Sequence, residues 1–295
     1  TEIFRKQVAQ DAMNGITKKC LSEIYRIGQA TAYRYFVQQL KLKSKEYQCE
    51  VPRILGIDEH FFTKKKGYAT TFCDLRKHQI YDVVLGRSEK SLESYLNALK
   101  GKDKVFMVCI DLSNPYRSMI RKHFPNAKIV TDRFHVIRLI NSAFKSLWKE
   151  IDPIGSKNRG LHSLVMRHPE KLRPEQAINL NRYLEKHSGF KVIYDFKQEL
   201  TKLLLLKRKN QRECIKFIPI FLNMIESLKK SHFAALVTLG ETFDSWQEEI
   251  VRMWRFTKNN GITEGFHNKM EMLSRRAYGF RNFENYRLWV KILCR

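Results

Sequence analysis

Residues 54–57 and 105–110 are unbroken apolar runs, and each is closed by an aspartate, Asp58 and Asp111. A strand with one wet face alternates apolar and polar residues. Continuous hydrophobicity over so short a run suits a strand covered on both faces. A chain with two such strands is restricted to folds in which helices flank a sheet. The side chains at the C-terminal ends of those strands then lie at the mouth where open α/β sheets bind ligands.

The neighbouring segments supply the rest of the sheet. Residues 68–75 and 79–85 are rich in β-branched and aromatic types and are separated by a polar turn, as in an antiparallel meander. Ser88 caps a helix over 88–99, residues 115–124 read as a second helix, 127–131 as a fifth strand, and Asp132 opens a long helix over 132–150. The order is βββαβαβα, an α/β core over residues 53–140.

Three further regions surround it. In residues 1–48, Ile3, Phe4, Val8 and Ala12 recur at helical spacing, Thr17 caps a second helix, Gly28 breaks it, and another helix runs over 29–42. A helix, a glycine turn and a helix make the shape of a helix-turn-helix, whose last helix would present Gln29, Thr31, Arg34 and Gln38 to bases or phosphates. A plain helical hairpin has the same pattern. Residues 141–258 show almost no strand signal, and amphipathic helices are predicted over 175–186, 190–207, 211–229 and 243–255. Residues 259–295 return to one long helix, a Tyr278-Gly279-Phe280 turn and a final helix.

Charge narrows the class of function. Lys and Arg total 55 against 30 Asp and Glu, a net charge of +25, and the excess is dispersed along the chain rather than gathered in a tail. A large basic surface meets a polyanion. The longest apolar patch, Leu203-Leu-Leu-Leu206, is flanked by Lys202 and Lys207, far short of the roughly 18 residues of a membrane span. No signal peptide opens the chain. Six scattered cysteines without a C-x-x-C pair suit a reducing cytoplasm and give no zinc spacing. Trp148, Trp246, Trp254 and Trp289 fall on apolar faces and are expected in the core.

The two aspartates carry the chemistry. In a βββαβ order the first and fourth strands can lie adjacent, which would bring Asp58 and Asp111 within a few ångströms. Nearby carboxylates repel unless a proton or a cation joins them. In a basic protein that meets phosphates, the natural third party is a divalent cation, and oxygen-only ligands select Mg2+ or Mn2+ over zinc. The plain alternative is that each aspartate caps a turn. The best third acid is Glu264, in a helical first turn after Asn259-Asn-Gly. A first-turn glutamate is also a routine partner of the helix dipole.

Asp132 and His135 form a second pair. Either Asp132 orients His135 beside the active site in a supporting role, or Asp132 caps its helix and His135 packs under the sheet. Lys64, Lys65 and Lys66 lie in the loop after Asp58, where they could track a DNA backbone. Arg275 and Arg276 follow Glu264 by three turns, and residues 207–209 with Arg212 form a further basic cluster. Such runs are also ordinary solvated faces.

Together these pieces resemble a known family. Gly56-Ile-Asp58-Glu, Ile110-Asp-Leu-Ser-Asn-Pro-Tyr116, Phe124-Pro-Asn-Ala-Lys-Ile-Val-Thr-Asp132-Arg-Phe-His135 and Asn260-Gly-Ile-Thr-Glu264-Gly-Phe-His-Asn-Lys269, followed by Arg276-Ala-Tyr-Gly-Phe-Arg-Asn-Phe283, resemble the bacterial ISL-three insertion-sequence transposases. The resemblance spans the whole chain. It implies a ribonuclease-H-like core with a DDE triad on Asp58, Asp111 and Glu264, and residues 141–258 as a helical insertion before the C-terminal helices of residues 259–295. Two Mg2+ or Mn2+ ions per site are expected, with Asp58 bridging both and Asp111 and Glu264 each holding one. The resemblance assigns no role to His267. Members of the family usually carry a cysteine-rich zinc-binding segment before the helix-turn-helix, and this sequence, which opens at Thr1, does not include one.

The function expected from these readings is transposition: binding of transposon ends, then metal-dependent cleavage and strand transfer. Double-stranded DNA is the partner, both as transposon end and as target. Paired end cleavage calls for a homodimer or higher oligomer, working in the cytoplasm at the nucleoid and not at a membrane. The competing expectation is a catalytically silent DNA-binding protein derived from such an enzyme. A third is a nuclease or resolvase with the same core that cleaves without joining.

Overall fold

Local rules place most of the elements. The computed structural model describes residues 1–46, 50–207, 210–256, 261–277 and 279–294, with the side chains of Glu46, Gln211, Ile262 and Glu264 outside the description. The chain divides into two units, Thr1–Lys128 with Asn260–Arg295, and Ile129–Asn259. The first opens with α1 (Glu2–Met13), α2 (Lys18–Tyr25) and α3 (Gln29–Glu46), which share a core of Val8, Leu21 and Ala32. Thr17 caps α2 by accepting from the Cys20 N–H at 3.2 Å. The turn into α3 is not made at Gly28, as the sequence predicts. Arg26 takes the left-handed conformation (φ 54°), the Ile27 N–H reaches back to the Ser22 carbonyl, and the Gly28 carbonyl starts the hydrogen bonds of α3. The left-handed site falls where α2 runs out of carbonyl partners, and there it meets an arginine.

A meander follows: β1 (Ile54–Thr63), β2 (Gly67–Asp74) and β3 (Gln79–Leu85). Gly67 (φ +73°) closes the first hairpin. Asp74 closes the second by accepting from the Arg76 and Lys77 N–H groups at 2.8 and 3.0 Å, an Asx turn. Then come α4 (Glu89–Ala98), β4 (Met107–Ile110), α5 (Asn114–His123), β5 (Lys128–Thr131) and α6 (Arg133–Ile151), so the order of strands and helices is the one read from the sequence. Ser88 and Ser91 form a capping box for α4, and Pro115 sits in the first turn of α5, where its missing N–H costs nothing. The sheet order is β3-β2-β1-β4-β5. Leu55, Ile57, Val108, Cys109 and Ile110 are fully buried, which accounts for the unbroken apolar runs.

The second unit is helical: α6, then α7 (Arg159–Met166), α8 (Pro174–Lys186), α9 (Ser188–Leu204), α10 (Gln211–Ile215), α11 (Ile218–Lys229), α12 (Ala234–Ser245) and α13 (Gln247–Arg255). One cluster packs Trp148, Val165, Leu180, Leu184, Phe190 and Tyr194 together. Buried cations take up the carbonyls left over at helix ends. Arg133 donates to the Leu206 and Met253 carbonyls at 3.1 and 2.7 Å, and Lys197, pushed down to about 8 by burial, donates to the Val165 carbonyl at 3.1 Å. Two helices predicted as single are each two. Pro219 lacks the N–H needed to continue a helix across 211–229, so α10 and α11 separate there. The other break is at Trp246 (φ −110°, ψ 12°), and nothing in the local sequence marks it.

α11 and α12 approach closely at Gly240, where a Cβ would stand 2.9 Å from the Lys229 backbone nitrogen and 3.0 Å from the Leu228 Cβ. Backbone cannot yield as a flexible side chain does. Gly240→Ala is therefore expected to destabilise the protein by about 1–3 kcal/mol, despite alanine's better helix propensity. Urea unfolding checks it, and a midpoint equal to or above that of the wild type would refute it.

The first unit closes with α14 (Gly261–Arg276) and α15 (Phe283–Leu293), separated by Gly279 at φ +87°. α15 packs on β3 and α3. Trp148, Trp246 and Trp254 are buried, and Trp289 is half-buried, edge-on to Phe36 at 4.6 Å. Among the described residues no helix is long and apolar enough to cross a membrane.

Candidate active site

Asp58 and Asp111 stand at the same height on neighbouring strands. β1 and β4 run parallel with Gly56 opposite Cys109, and each aspartate lies two residues further on. Residues two apart on a strand share a face, so both carboxylates leave the sheet on one side, on strands about 5 Å apart. Asp58 does not end its strand, as the sequence predicts: β1 continues to Thr63. What ends near Asp58 is the pairing with β4, whose last partner is Gly56, while pairing with β2 carries on, Asp58 opposite Thr71. The free rim of β1 thus begins at the acid. Beyond Asp111 the chain turns at once, the Ser113 N–H donating to the Asp111 carbonyl at 2.8 Å, and enters α5.

Both aspartates are half-buried, and Asp58 Oδ1 accepts from the Glu59 N–H at 2.8 Å. Their charges reach common neighbours. Burial pushes the Tyr116 hydroxyl well above its ordinary range, and the charges of Glu59, Asp111 and Asp58 push it further, against a hydrogen bond with Thr70 at 3.0 Å. Burial likewise pushes the Cys73 thiol up to about 12, with Asp58 adding to the rise. Cys73 is therefore a thiol near neutral pH, and the carboxylates beside it are the hard oxygen donors on this face.

α14 lies on the same face. Thr263, fully buried, donates to Cys73 Sγ at 3.7 Å, and His267 Nε2 is 3.4 Å from Thr71 Oγ1. Cys73 pairs with Gly56 and Thr71 with Asp58, so the first turns of α14 are tied to the β1–β2 ribbon beside Asp58. The backbone of Glu264 falls between these two anchors, and its side chain lies outside the described residues. The described residues thus bring two of the three acids together and set the helix of the third on the same face. Among them no group of three His, Cys, Asp or Glu is gathered as a metal-ligand set.

A polar network missed by the sequence reading sits under α14. The Tyr286 hydroxyl is 2.9 Å from His60 Nε2, and His60 Nδ1 is 2.9 Å from the same Thr71 hydroxyl that meets His267. Burial pushes His60 down to about 3, with His267 adding to the shift, and pushes His267 down to about 4. Both imidazoles are therefore neutral at ordinary pH. One signal was in the sequence: His60, two residues after Asp58, must share its face.

Asp132 and His135 belong to the second unit. Asp132, 3% exposed, caps α6 by accepting from the Phe134 N–H at 3.3 Å, and its Oδ2 is 3.8 Å from His135 Nε2, longer than a hydrogen bond. On α3, Gln29, Arg34 and Gln38 are exposed and Thr31 is half-buried, accepting from Arg34 at 3.0 Å. The helix meets α15 through Phe36 on Trp289 and Asn285 on Tyr33. Lys64, Lys65 and Lys66 are exposed at the tip of the β1–β2 hairpin. Arg275 is exposed and ion-paired with Glu271 at 2.6 Å, whereas the exposed Arg276 reaches the α1–α2 turn at Gly15, where a Cβ would overlap its guanidinium. Arg208 and Lys209 lie outside the described residues.

A family model of the ISL-three type, described as a transposase, matches residues 55–290. The transposase for insertion sequence element IS1001 of Bordetella parapertussis is 23% identical over 295 residues, covering 97% of this chain and 71% of that protein.

Proposed function

The chain belongs to the ISL-three family of transposases, and from that premise we propose that it binds transposon ends and catalyses DNA strand cleavage and strand transfer through Asp58, Asp111 and Glu264. The observation that carries the reading is the matched register of the two aspartates, two residues beyond the Gly56–Cys109 pair. The βββαβαβα order and the sheet order β3-β2-β1-β4-β5 support a ribonuclease-H-like core. The three helices before it would act as a helix-turn-helix.

Paired carboxylates beside a protonated thiol fit a hard divalent cation. Asp58, Asp111 and Glu264 would hold Mg2+ or Mn2+, two ions per site, which when bound supply charge stabilisation at the entering and leaving oxygens of an in-line displacement. Water attacks phosphorus and the P–O3′ bond breaks, freeing a 3′-hydroxyl. That hydroxyl then attacks a target phosphorus, so one phosphodiester forms as another breaks. Asp132 and His135 would have a supporting role. Gln29, Thr31, Arg34 and Gln38 would read the end, with Lys64, Lys65, Lys66, Arg275 and Arg276 along the backbone, in a homodimer or larger assembly working on nucleoid DNA.

Incubation of the full chain with a labelled duplex carrying the element's end tests the reading. Cleavage in Mg2+ or Mn2+, abolished by chelation and followed by joining to a target duplex, is expected. Tight binding without cleavage would sink it in favour of a silent DNA-binding protein, and cleavage without joining would make the protein a nuclease.

A further inference from the structure

The hydrogen bonds under α14 form one continuous chain. A neutral imidazole has one donor and one acceptor. The Tyr286 hydroxyl is bonded to His60 Nε2, His60 Nδ1 to Thr71 Oγ1, and Thr71 Oγ1 to His267 Nε2, over 2.9, 2.9 and 3.4 Å, each ring nitrogen serving as donor or acceptor. The chain of bonds starts on α15, crosses β1 and β2, and ends on α14. Thr71 is fully buried and stands directly opposite Asp58, and His267 lies one turn after Glu264. The rings of His60 and His267 are 5.2 Å apart, so the contact is packed as well as hydrogen-bonded.

No plain packing requirement accounts for four polar groups here. An apolar set of similar shape would bury as well without the cost of desolvation. What hydrogen bonds add is a fixed register: a helix on a greasy surface can slide or rotate, and one tied by a directional bond in its second turn cannot. The acid on that helix must meet two others within fractions of an ångström to share a cation.

We propose that Thr71, His60 and His267 are positioning residues that lock the Glu264 helix against the strand of Asp58 and so set the affinity of the acid cluster for its divalent cation. The proposal rests on the reading of Asp58, Asp111 and Glu264 given above. The Thr71 hydroxyl is the central link, since it meets both imidazoles.

Mn2+ binding to the full chain without DNA, read from the electron paramagnetic resonance signal of the remaining free ion, separates the two ideas. Thr71→Val removes the hydroxyl and keeps the shape; it is expected to weaken Mn2+ binding about tenfold or more, and Thr71→Ser to restore it. Tyr286→Phe removes only the far end of the chain of bonds, and a loss of about threefold is expected, which keeps the proposal testable if the valine variant does not fold. Wild-type affinity in the folded Thr71→Val protein, or in Tyr286→Phe, overturns the positioning role. Failure of Thr71→Ser to restore binding also overturns it, because the hydroxyl is then not the reason. Asp58→Asn is the control: if it binds Mn2+ as the wild type does, the acids are not the metal site, and the catalytic reading falls together with the positioning role.

Discussion

Asp111→Asn is expected to lower the rate of end cleavage about a thousandfold while leaving end binding intact, and Asp58→Asn to do the same. The change keeps the side-chain volume and removes one negative charge from a pair held level on adjacent strands by the Gly56–Cys109 register. Charge stabilisation at a cation-dependent displacement is worth several kcal/mol, and about 4 kcal/mol corresponds to about a thousandfold in rate. Stability should move the other way. Without a cation the two carboxylates repel, so neutralising one is expected to leave the metal-free unfolding midpoint unchanged or higher. An unfolded variant would lose cleavage and midpoint together, so the opposed signs identify the cause. Single-turnover cleavage, filter binding and thermal unfolding on the same samples decide it. Either variant cleaving within tenfold of the wild type would refute the assignment of that residue.

Asp82→Ala is expected to cost about 3 kcal/mol of stability, the largest loss foreseen for a single residue outside the acid pair. Asp82 lies on β3 at the sheet edge with a side chain 8% exposed. Arg287 of α15 donates to both its oxygens, Nε to Oδ1 at 2.8 Å and Nη2 to Oδ2 at 2.7 Å, and Lys291 adds a contact at 3.4 Å. The arginine also lies over the Tyr95 ring at 5.8 Å. Removing the carboxylate leaves two cations facing each other with little water to screen them. Their side chains are 27% and 24% exposed, which holds the cost to the low end of the range for a broken buried pair. Asp82→Ala with Arg287→Met is expected to be more stable than Asp82→Ala alone, since the stranded charge is then gone. A single-variant loss below about 1 kcal/mol in urea unfolding would show that the pair is incidental. α15 also carries Tyr286, so the same variant is expected to loosen the anchor of His60.

Helix breaks show where sequence reading stops. Pro219 separates α10 from α11 through its own missing N–H, a mark that is local and readable in the sequence. The joint at Trp246 and the left-handed Arg26 have no such local mark. The Asp82–Arg287 pair could not be foreseen either, because its members are 205 residues apart and each alone is an ordinary surface type.

Asp58 and Asp111, the strands that carry them, the caps at Thr17 and Ser88 and the turn at Gly279 were legible in the sequence alone. Each depends on groups within a few residues: a run of apolar side chains, a hydroxyl three residues from an N–H, a backbone angle only glycine reaches cheaply. The level placement of the two aspartates needed the β1–β4 register, and the His60–Thr71–His267–Tyr286 network needed β1, β2, α14 and α15 to come together. A hydrogen bond across some two hundred residues leaves no periodic trace along the chain. Its partners are chosen by which faces pack, and that choice belongs to the whole buried surface rather than to any segment of it.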